Sequence, residues 1–524
     1  MTTDQRLGRI PLSVFASNAL PLLLALLLTS AAALNAQADE RVEDEIVVEV
    51  MPGVSGQVIA DRYDLTILDS IEVWNLWHYR TQPDEDIDGL VETMNSDPDI
   101  DEAEAHEKLE VPEGVQRSIP DLGRTITSGE FRRQTAAAIV RTEQAQATAR
   151  GTYVTVGIID SGSNLNHPET RAQMLTGGGD FANGDGSVFP QRDFVDNDLD
   201  GTVDEAIEHG TFVAGLVNLA APKSRIFHIR ALDAEGYGSV FGVAKAILQG
   251  INRKVDVLNL SFSMAESSNV IKTAIDEALD SGIVVVASAG NRGLPALDFP
   301  ASHEGVIAVA AVDNDLLRAT FSNYSEQVDV SAPGVDLIST YQNSSFATWA
   351  GTSFSAPLAT GAVALLLSRY PGLTPTEVRS LLRDTAQPDN DGGGEIGAGV
   401  IDLEAIATVE TSDRTSLRLT NGPRGTTLHW SAVLDAQSYD LIRGEVANLH
   451  MDDDIVALGP VSCHSDDHAD LNTNDSPDSE LPAPGSAFFY VFRDDAPDSQ
   501  DYGYGRTSSE DERTPDGGDC YDAR

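Results

Sequence analysis

Cysteine is nearly missing from this chain of 524 residues: there are two, Cys463 and Cys520, both in the last quarter. A disulfide-rich scaffold and a multi-thiolate metal cluster are thereby excluded. A pair confined to one segment reads as a single disulfide, with two unrelated thiols as the alternative. Lysine is scarce too, limited to Lys108, Lys223, Lys245, Lys254 and Lys272. With 34 basic against 83 acidic residues the formal net charge is −49. Such a chain repels phosphates, so nucleic acid is excluded as a partner, and so are anionic membrane surfaces. The charge suits solubility, cation binding or a saline habitat in which self-repulsion is screened. Long apolar runs are also lacking. Beyond the N-terminus no segment stays apolar for the roughly 18 residues of a spanning helix, and no solenoid or propeller repeat is present.

What is present begins at the N-terminus. Arg6 and Arg9 precede an apolar stretch, Ala19 to Leu28, and then Ala36-Gln37-Ala38, a small-x-small cleavage pattern, stands before Asp39 and Glu40. This is the pattern of a signal peptide over 1–38, with an uncleaved anchor as the minor alternative. It predicts a secreted protein, extracellular or periplasmic, with no membrane attachment after cleavage.

Three stretches of different grammar follow. Over 39–112, Glu45 to Val50 is β-branched and strand-like, Ile87, Leu90, Val91 and Met94 mark one helix face, and Ile100 to Leu109 returns as a strand. That mixture predicts a small α+β module. Residues 113–135 are a polar linker with Pro120 and Gly123. From 136 to 408, apolar strands (153–159, 225–232, 255–261, 283–289 and 306–312) alternate with helical patterns, which predicts an α/β domain with a doubly wound, mostly parallel sheet. Thr374, Pro375 and Glu377 spell a helix start with a capping box. Over 411–524, alternating runs at 416–419, 427–430, 438–443 and 486–492 predict an all-β module, a sandwich.

Three local signatures carry chemistry. An apolar strand ends in Asp160-Ser161-Gly162, His209-Gly210-Thr211 opens a helix, and Gly351-Thr352-Ser353 opens another. A serine hydroxyl is a weak nucleophile until an imidazole takes its proton. A buried carboxylate must hold that imidazole in the right tautomer. A serine at a helix start lies beside unpaired N–H groups that stabilise negative charge. Each signature alone has an ordinary reading as a cap or a surface residue. Their order on an alternating α/β background points to nucleophilic catalysis.

On these motifs the chain resembles the subtilisin-like serine proteases over 136–408. The resemblance implies a serine endopeptidase that works through an acyl-enzyme at Ser353, with Asp160 and His209 completing a triad. Phe212 stands where a second histidine is usual, and Phe354-Ser355 where Met-Ala is common. By the same resemblance Asn291, after the strand 284–290, is the oxyanion donor. Gly236, Tyr237 and Gly238 form one edge for an extended peptide, and Ser261, Phe262 and Ser263 the other. Ser261 to Ser263 with Ser288, Ala289 and Gly290 wall the primary pocket. No acidic residue lies in those walls, so broad specificity with an apolar or aromatic preference is expected. Residues 39–112 resemble the family's inhibitory prosegment (the I9 type), which would act on its own chain, with a permanent N-terminal domain as the alternative. The tail resembles a fibronectin type III-like module, stapled by Cys463 and Cys520. The chemistry needs no cofactor, the partners expected are protein or peptide substrates, and a monomer is expected. The competing class is an inactive binding or adhesion protein on a protease scaffold. It is disfavoured because every catalytic position is filled.

Asp196, Asp198, Asp200 and Asp204 alternate just before His209, with Gly201 at the sixth place. This resembles a calcium loop, although Ile207 stands where an EF-hand needs glutamate. Structural calcium and a solvated acidic loop both stay open.

Overall fold

The computed structural model describes residues 41–113, 118–196, 201–388 and 394–409, and after these the strands lying between 417 and 515. The expected signal peptide lies outside the described residues. The chain divides into two compact units. One holds residues up to Leu109 together with Tyr237–Ala244 and Ser268–Ile271; the other holds the remainder.

The first unit runs β1 (Arg41–Val50), α1 (Gly56–Tyr63), β2 (Thr66–Ile71), β3 (Leu76–Arg80), α2 (Ile87–Met94) and β4 (Ile100–Glu110). This is a βαββαβ order. The sheet order is β2-β3-β1-β4, extended at β4 by β7 (Tyr237–Ser239). Ser55 and Asp86 cap the two helices by accepting from Gln57 N and Gly89 N. The apolar stripe read at 87–94 is the face of α2 that packs on the sheet, where Ile46, Val48, Val50, Tyr79 and Met94 form the core. Alternation along β1 sends Glu45 and Val47 to the opposite face.

The second unit is built on a six-stranded sheet in the order β11-β10-β9-β8-β5-β6. Its strands are β5 (Thr155–Asp160), β6 (Arg225–Arg230), β8 (Val257–Leu260), β9 (Val284–Ser288), β10 (Ile307–Val312) and β11 (Val330–Pro333). All neighbours pair in parallel. Every residue of β5, β9 and β10 is buried, which accounts for their unbroken apolar runs. The helices that matter to the site are α3 (His209–Ala220) and α6 (Thr352–Arg369). Between them in sequence lie α4 (Val240–Asn252) and α5 (Asn269–Asp280), and after them α7 (Pro375–Thr385). An antiparallel pair, β12 (Leu337–Tyr341) and β13 (Ser345–Trp349), leads into α6. Helix α7 carries the expected box, with Thr374 and Glu377 each accepting from the other's backbone N–H.

The stretch read as a linker is ordered well before residue 136. Thr127 and Glu130 make a second capping box on the short helix Ser128–Arg132. Ile126 and Phe131 enter the main core. Two apolar side chains in a polar stretch were enough to dock it.

After residue 410 only strands occur among the described residues. Leu417–Gly422 pairs with Gly425–Trp430, and Tyr439–Glu445 lies between Val461–His468 and Phe488–Asp494. His450–Asp452, Ile455–Gly459 and Arg513–Pro515 form a third small sheet. Cys463 lies on one of these strands, while Cys520 lies outside the described residues.

Candidate active site

Three chain ends converge at the carboxyl edge of the sheet, the usual place for sites in such folds. β5 delivers Asp160, α3 begins with His209, and α6 places Ser353 in its first turn. All three are fully buried. Asp160 Oδ1 lies 2.7 Å from His209 Nδ1 and accepts from Ser161 N at 2.8 Å. The carboxylate therefore fixes the proton on Nδ1 and turns Nε2 toward the cleft.

Ser353 is held by a reciprocal arrangement with Ser261. Pro357 sits four residues on in α6 and cannot give the helical N–H that Ser353 O would accept. Ser261 Oγ supplies that bond instead, at 2.8 Å, and Ser353 Oγ donates to Ser261 O at 3.3 Å. Asn259 Nδ2 steadies Ser261 Oγ at 2.9 Å, and Thr360 Oγ1 steadies Asn259 Oδ1 at 2.9 Å.

Asn291 follows β9. Its Oδ1 accepts from both Thr352 N and Thr352 Oγ1, at 2.9 and 2.8 Å. That pair of hydrogen bonds from one neighbour leaves the Nδ2 protons aimed at the cleft. Thr352 Oγ1 also accepts from Gly290 N. Gly290 has φ +102°, and a Cβ there would strike Asp298 and Asn323. Only glycine fits the turn that presents Asn291.

The cleft holds the chain's own segment 110–113. Glu110 and Ser263 exchange both backbone hydrogen bonds, at 3.0 and 2.8 Å, and Val111 N donates to Gly236 O at 3.0 Å. The two edges read from the sequence thus grip an extended strand from either side, in the manner of strand addition. Of the first edge, Gly236 makes this contact; Tyr237 and Gly238 belong to β7, in the sheet of the first unit.

Glu113 completes the occupancy. Its side chain is buried, with Oε1 accepting from Asn291 Nδ2 at 3.0 Å and Oε2 lying 3.2 Å from His209 Nε2. A Cβ at Gly351 would fall 1.7 Å from Glu113 Oε1, so the carboxylate has this seat only because residue 351 is glycine. Both nitrogens of His209 now face carboxylates, which accept only, so both must carry protons. Burial by itself opposes the charged ring, but Asp160 and Glu113 outweigh it and push the imidazole up to about 10. In this state His209 is an imidazolium and the serine hydroxyl is turned to Ser261.

An aromatic wall closes one side. His209 meets Trp349 edge-on at 5.7 Å and Phe354 at 5.1 Å, and Phe354 meets Phe212 at 4.6 Å. Phe212 and Phe354, two departures from the family pattern, are partners in space. His209 is fully buried beside this cluster.

Ser288, Ala289 and Gly290 are buried beside Ser261 to Ser263. An acidic group nevertheless reaches this wall. Asp298 is buried under Gly290, pairs with Arg292 and accepts from Asn323 Nδ2 at 3.0 Å. Burial raises its carboxyl above the usual range despite Arg292. The wall segments lack acid, as read from the sequence, but the fold brings one in from residue 298 with its own counter-charge.

Of the acidic loop, Asp198 and Asp200 lie outside the described residues. Asp196 accepts from Gly201 N at 3.1 Å. Asp204 is buried, and its Oδ1 accepts from Asp193 N at 3.1 Å while Oδ2 faces Arg192 Nη1 at 3.3 Å. Asp193, Asp204 and Glu235 each place a carboxylate oxygen within 4.8 Å of the others. Two of these three acids were not in the sequence-derived set, because they lie 11 and 31 residues from Asp204.

A buried Asp–His pair, a serine at a helix start and an amide donor over the same cleft define a serine-type endopeptidase. Comparison with known proteins agrees. The subtilase (peptidase S8) family model matches residues 151–413. The thermostable alkaline protease of Halalkalibacterium halodurans is 28% identical over 70% of this chain and 93% of that protein. Subtilisin DY of Bacillus licheniformis is 35% identical over 51% of this chain and 96% of that protein. A solved protease structure from Pseudoalteromonas arctica superposes with a TM-score of 0.50 at 27% identity, covering 54% of this chain and 99% of that one. The chain belongs to the subtilase family.

Proposed function

We propose that the protein is an exported endopeptidase made as a self-blocked precursor, with Ser353 as nucleophile, His209 as base, Asp160 as its orienting carboxylate and Asn291 as oxyanion donor. The observation that carries this reading is Glu113, seated between the base and the oxyanion donor. Once it leaves, His209 Nε2 is free to take the Ser353 proton as Oγ attacks a substrate carbonyl. Asn291 Nδ2 and the Ser353 N–H, which has no helical partner in the first turn, would hold the developing oxyanion. His209 then returns the proton to the leaving amine. Water, deprotonated by the same ring, hydrolyses the acyl-enzyme.

Residues 39–112 act in this reading as the intramolecular inhibitor. Its last residues lie as a substrate strand would, on the Ser263 and Gly236 edges. Maturation is cleavage and release of that strand. The 1–38 pattern supports export, and among the described residues no helix is long and apolar enough to cross a membrane. Arg292 neutralises Asp298, which supports an apolar or aromatic preference in the primary pocket; a peptide library showing strong Arg preference overturns it. Asp193, Asp204 and Glu235 are the acids that would hold a structural calcium ion. Asp204 already has backbone N–H groups and Arg192 on its oxygens, so an ion there must displace the guanidinium. A disulfide between Cys463 and Cys520 and a fibronectin type III-like role for the tail belong to the same proposal.

The test is hydrolysis of a denatured protein by the processed form. Activity lost in Ser353→Ala, with processing lost as well, supports the reading. Undiminished hydrolysis by Ser353→Ala sinks it.

A further inference from the structure

The face of the N-terminal sheet opposite its apolar core carries a cluster that proteolysis does not use. Glu45 on β1, His78 on β3 and His106 on β4 come from three adjacent strands. Glu45 stands opposite Arg80, so His78, two residues back along β3, shares its face. On the other side Ile46 stands opposite Ala105, so His106, the next residue along β4, lies beside Glu45. Glu45 Oε2 lies 2.7 Å from His78 Nε2 and 2.9 Å from His106 Nδ1. The side chains are 11%, 13% and 4% exposed, respectively. The two imidazoles cross at 4.2 Å, and Phe241 covers His78 at 5.0 Å.

We propose that Glu45, His78 and His106 form a binding site for a borderline divalent cation of the zinc or cobalt class. Two imidazole nitrogens and one carboxylate oxygen within 4.8 Å of one another are the donor set of a three-ligand site with an open fourth position. At metal–ligand lengths of about 2.0–2.2 Å, tetrahedral donors sit about 3.3 Å apart. The present 2.7 and 2.9 Å spacings need to open by roughly half an ångström. That is within the reach of a Glu side chain. Calcium is a poor fit, since it takes six or more oxygens.

The proton balance permits the exchange. Each histidine now donates its proton to Glu45. On binding, the His106 proton moves from Nδ1 to Nε2 and the His78 proton from Nε2 to Nδ1, with no net release. His106 Nε2 is buried and has no hydrogen-bond partner among the described residues. No donor has to be displaced from it. One group opposes the cation: Arg80 Nη2 lies 3.0 Å from Glu45 Oε1, on a side chain that is 57% exposed and able to swing into solvent.

The experiment is a Co²⁺ titration of the full chain carrying Ser353→Ala to prevent processing, with millimolar Ca²⁺ present to occupy oxygen-rich sites. The expected result is one equivalent bound, with the visible absorption of four-coordinate cobalt, and competition by Zn²⁺. His78→Gln and His106→Gln are each expected to weaken binding at least tenfold. Arg80→Ala is expected to tighten it, because a competing positive charge has gone; a folding defect cannot produce that gain. No cobalt absorption, wild-type affinity in either histidine variant, or weaker binding in Arg80→Ala overturns the proposal.

Discussion

Removing the Glu113 carboxylate should switch on the uncut chain. With His209 raised to about 10, the neutral ring makes up roughly one part in a thousand at pH 7. Asp160 provides the larger share of that shift and Glu113 the smaller. Loss of Glu113 should therefore bring His209 down, and each tenfold rise in the neutral fraction corresponds to about 1.4 kcal/mol. Glu113→Ala also vacates the place in front of Asn291 Nδ2. Glu113→Gln removes the charge and keeps the bulk, which separates the two effects. The assay is the rate at which a fluorophosphonate labels the uncut species, read by gel at early times across pH. In the wild-type precursor the rate should climb with pH toward about 10, because deprotonation of a raised imidazole is what it waits for. In Glu113→Ala the curve should move to lower pH and the rate at pH 7 should rise about ten- to a hundredfold. Equal rates for wild type and Glu113→Ala at every pH would refute the reasoning.

Other consequences can be measured separately. Asn291→Ala in the processed enzyme should lower kcat about 10²–10³-fold with a small change in KM, a range measured on this family's own oxyanion asparagine; Thr352→Val, which removes one of the two hydrogen bonds to Asn291 Oδ1, should give a smaller loss of the same kind. Burial, despite hydrogen bonds from Ser268 and Asn269, raises Glu104 to about 7. The folded N-terminal unit then binds more protons than the unfolded chain between about pH 4.5 and 7, so this group's contribution to stability falls as pH rises through that window, by up to about 3 kcal/mol. Glu104→Gln should flatten that slope in urea titrations, and an unchanged slope would contradict it. If Asp193, Asp204 and Glu235 hold calcium, a chelator should lower the melting temperature of wild type by several degrees and leave Asp204→Asn unmoved.

Much of this was legible in the sequence because it is local. Apolar runs bounded by glycine gave the strands of the central sheet. The stripe at Ile87, Leu90, Val91 and Met94 gave α2, and Thr374 with Glu377 gave the start of α7. The three proposed catalytic positions were legible because each sits at the end of an element with a fixed small-residue neighbour. What was missed depends on contacts between distant residues. Glu113 meets His209 across 96 positions and Asn291 across 178. Phe212 and Phe354 each read as an isolated departure, and only the packing of α3 against α6 makes them a pair. Asp298 lies outside the wall segments, yet the positive φ of Gly290 lets it in beneath them. Polar composition hid the docking of Ile126 and Phe131 for the same reason: burial is a property of the fold, not of the window.

The central claim is that Ser353 is the nucleophile of a working triad. Its most direct test is to treat the processed protein with a fluorophosphonate and map the adduct by peptide mass spectrometry. The account predicts one equivalent of adduct on the peptide containing Ser353, formed quickly in wild type and slowly in His209→Ala processed in trans. An adduct on another serine, or none on a processed and folded protein, would contradict it.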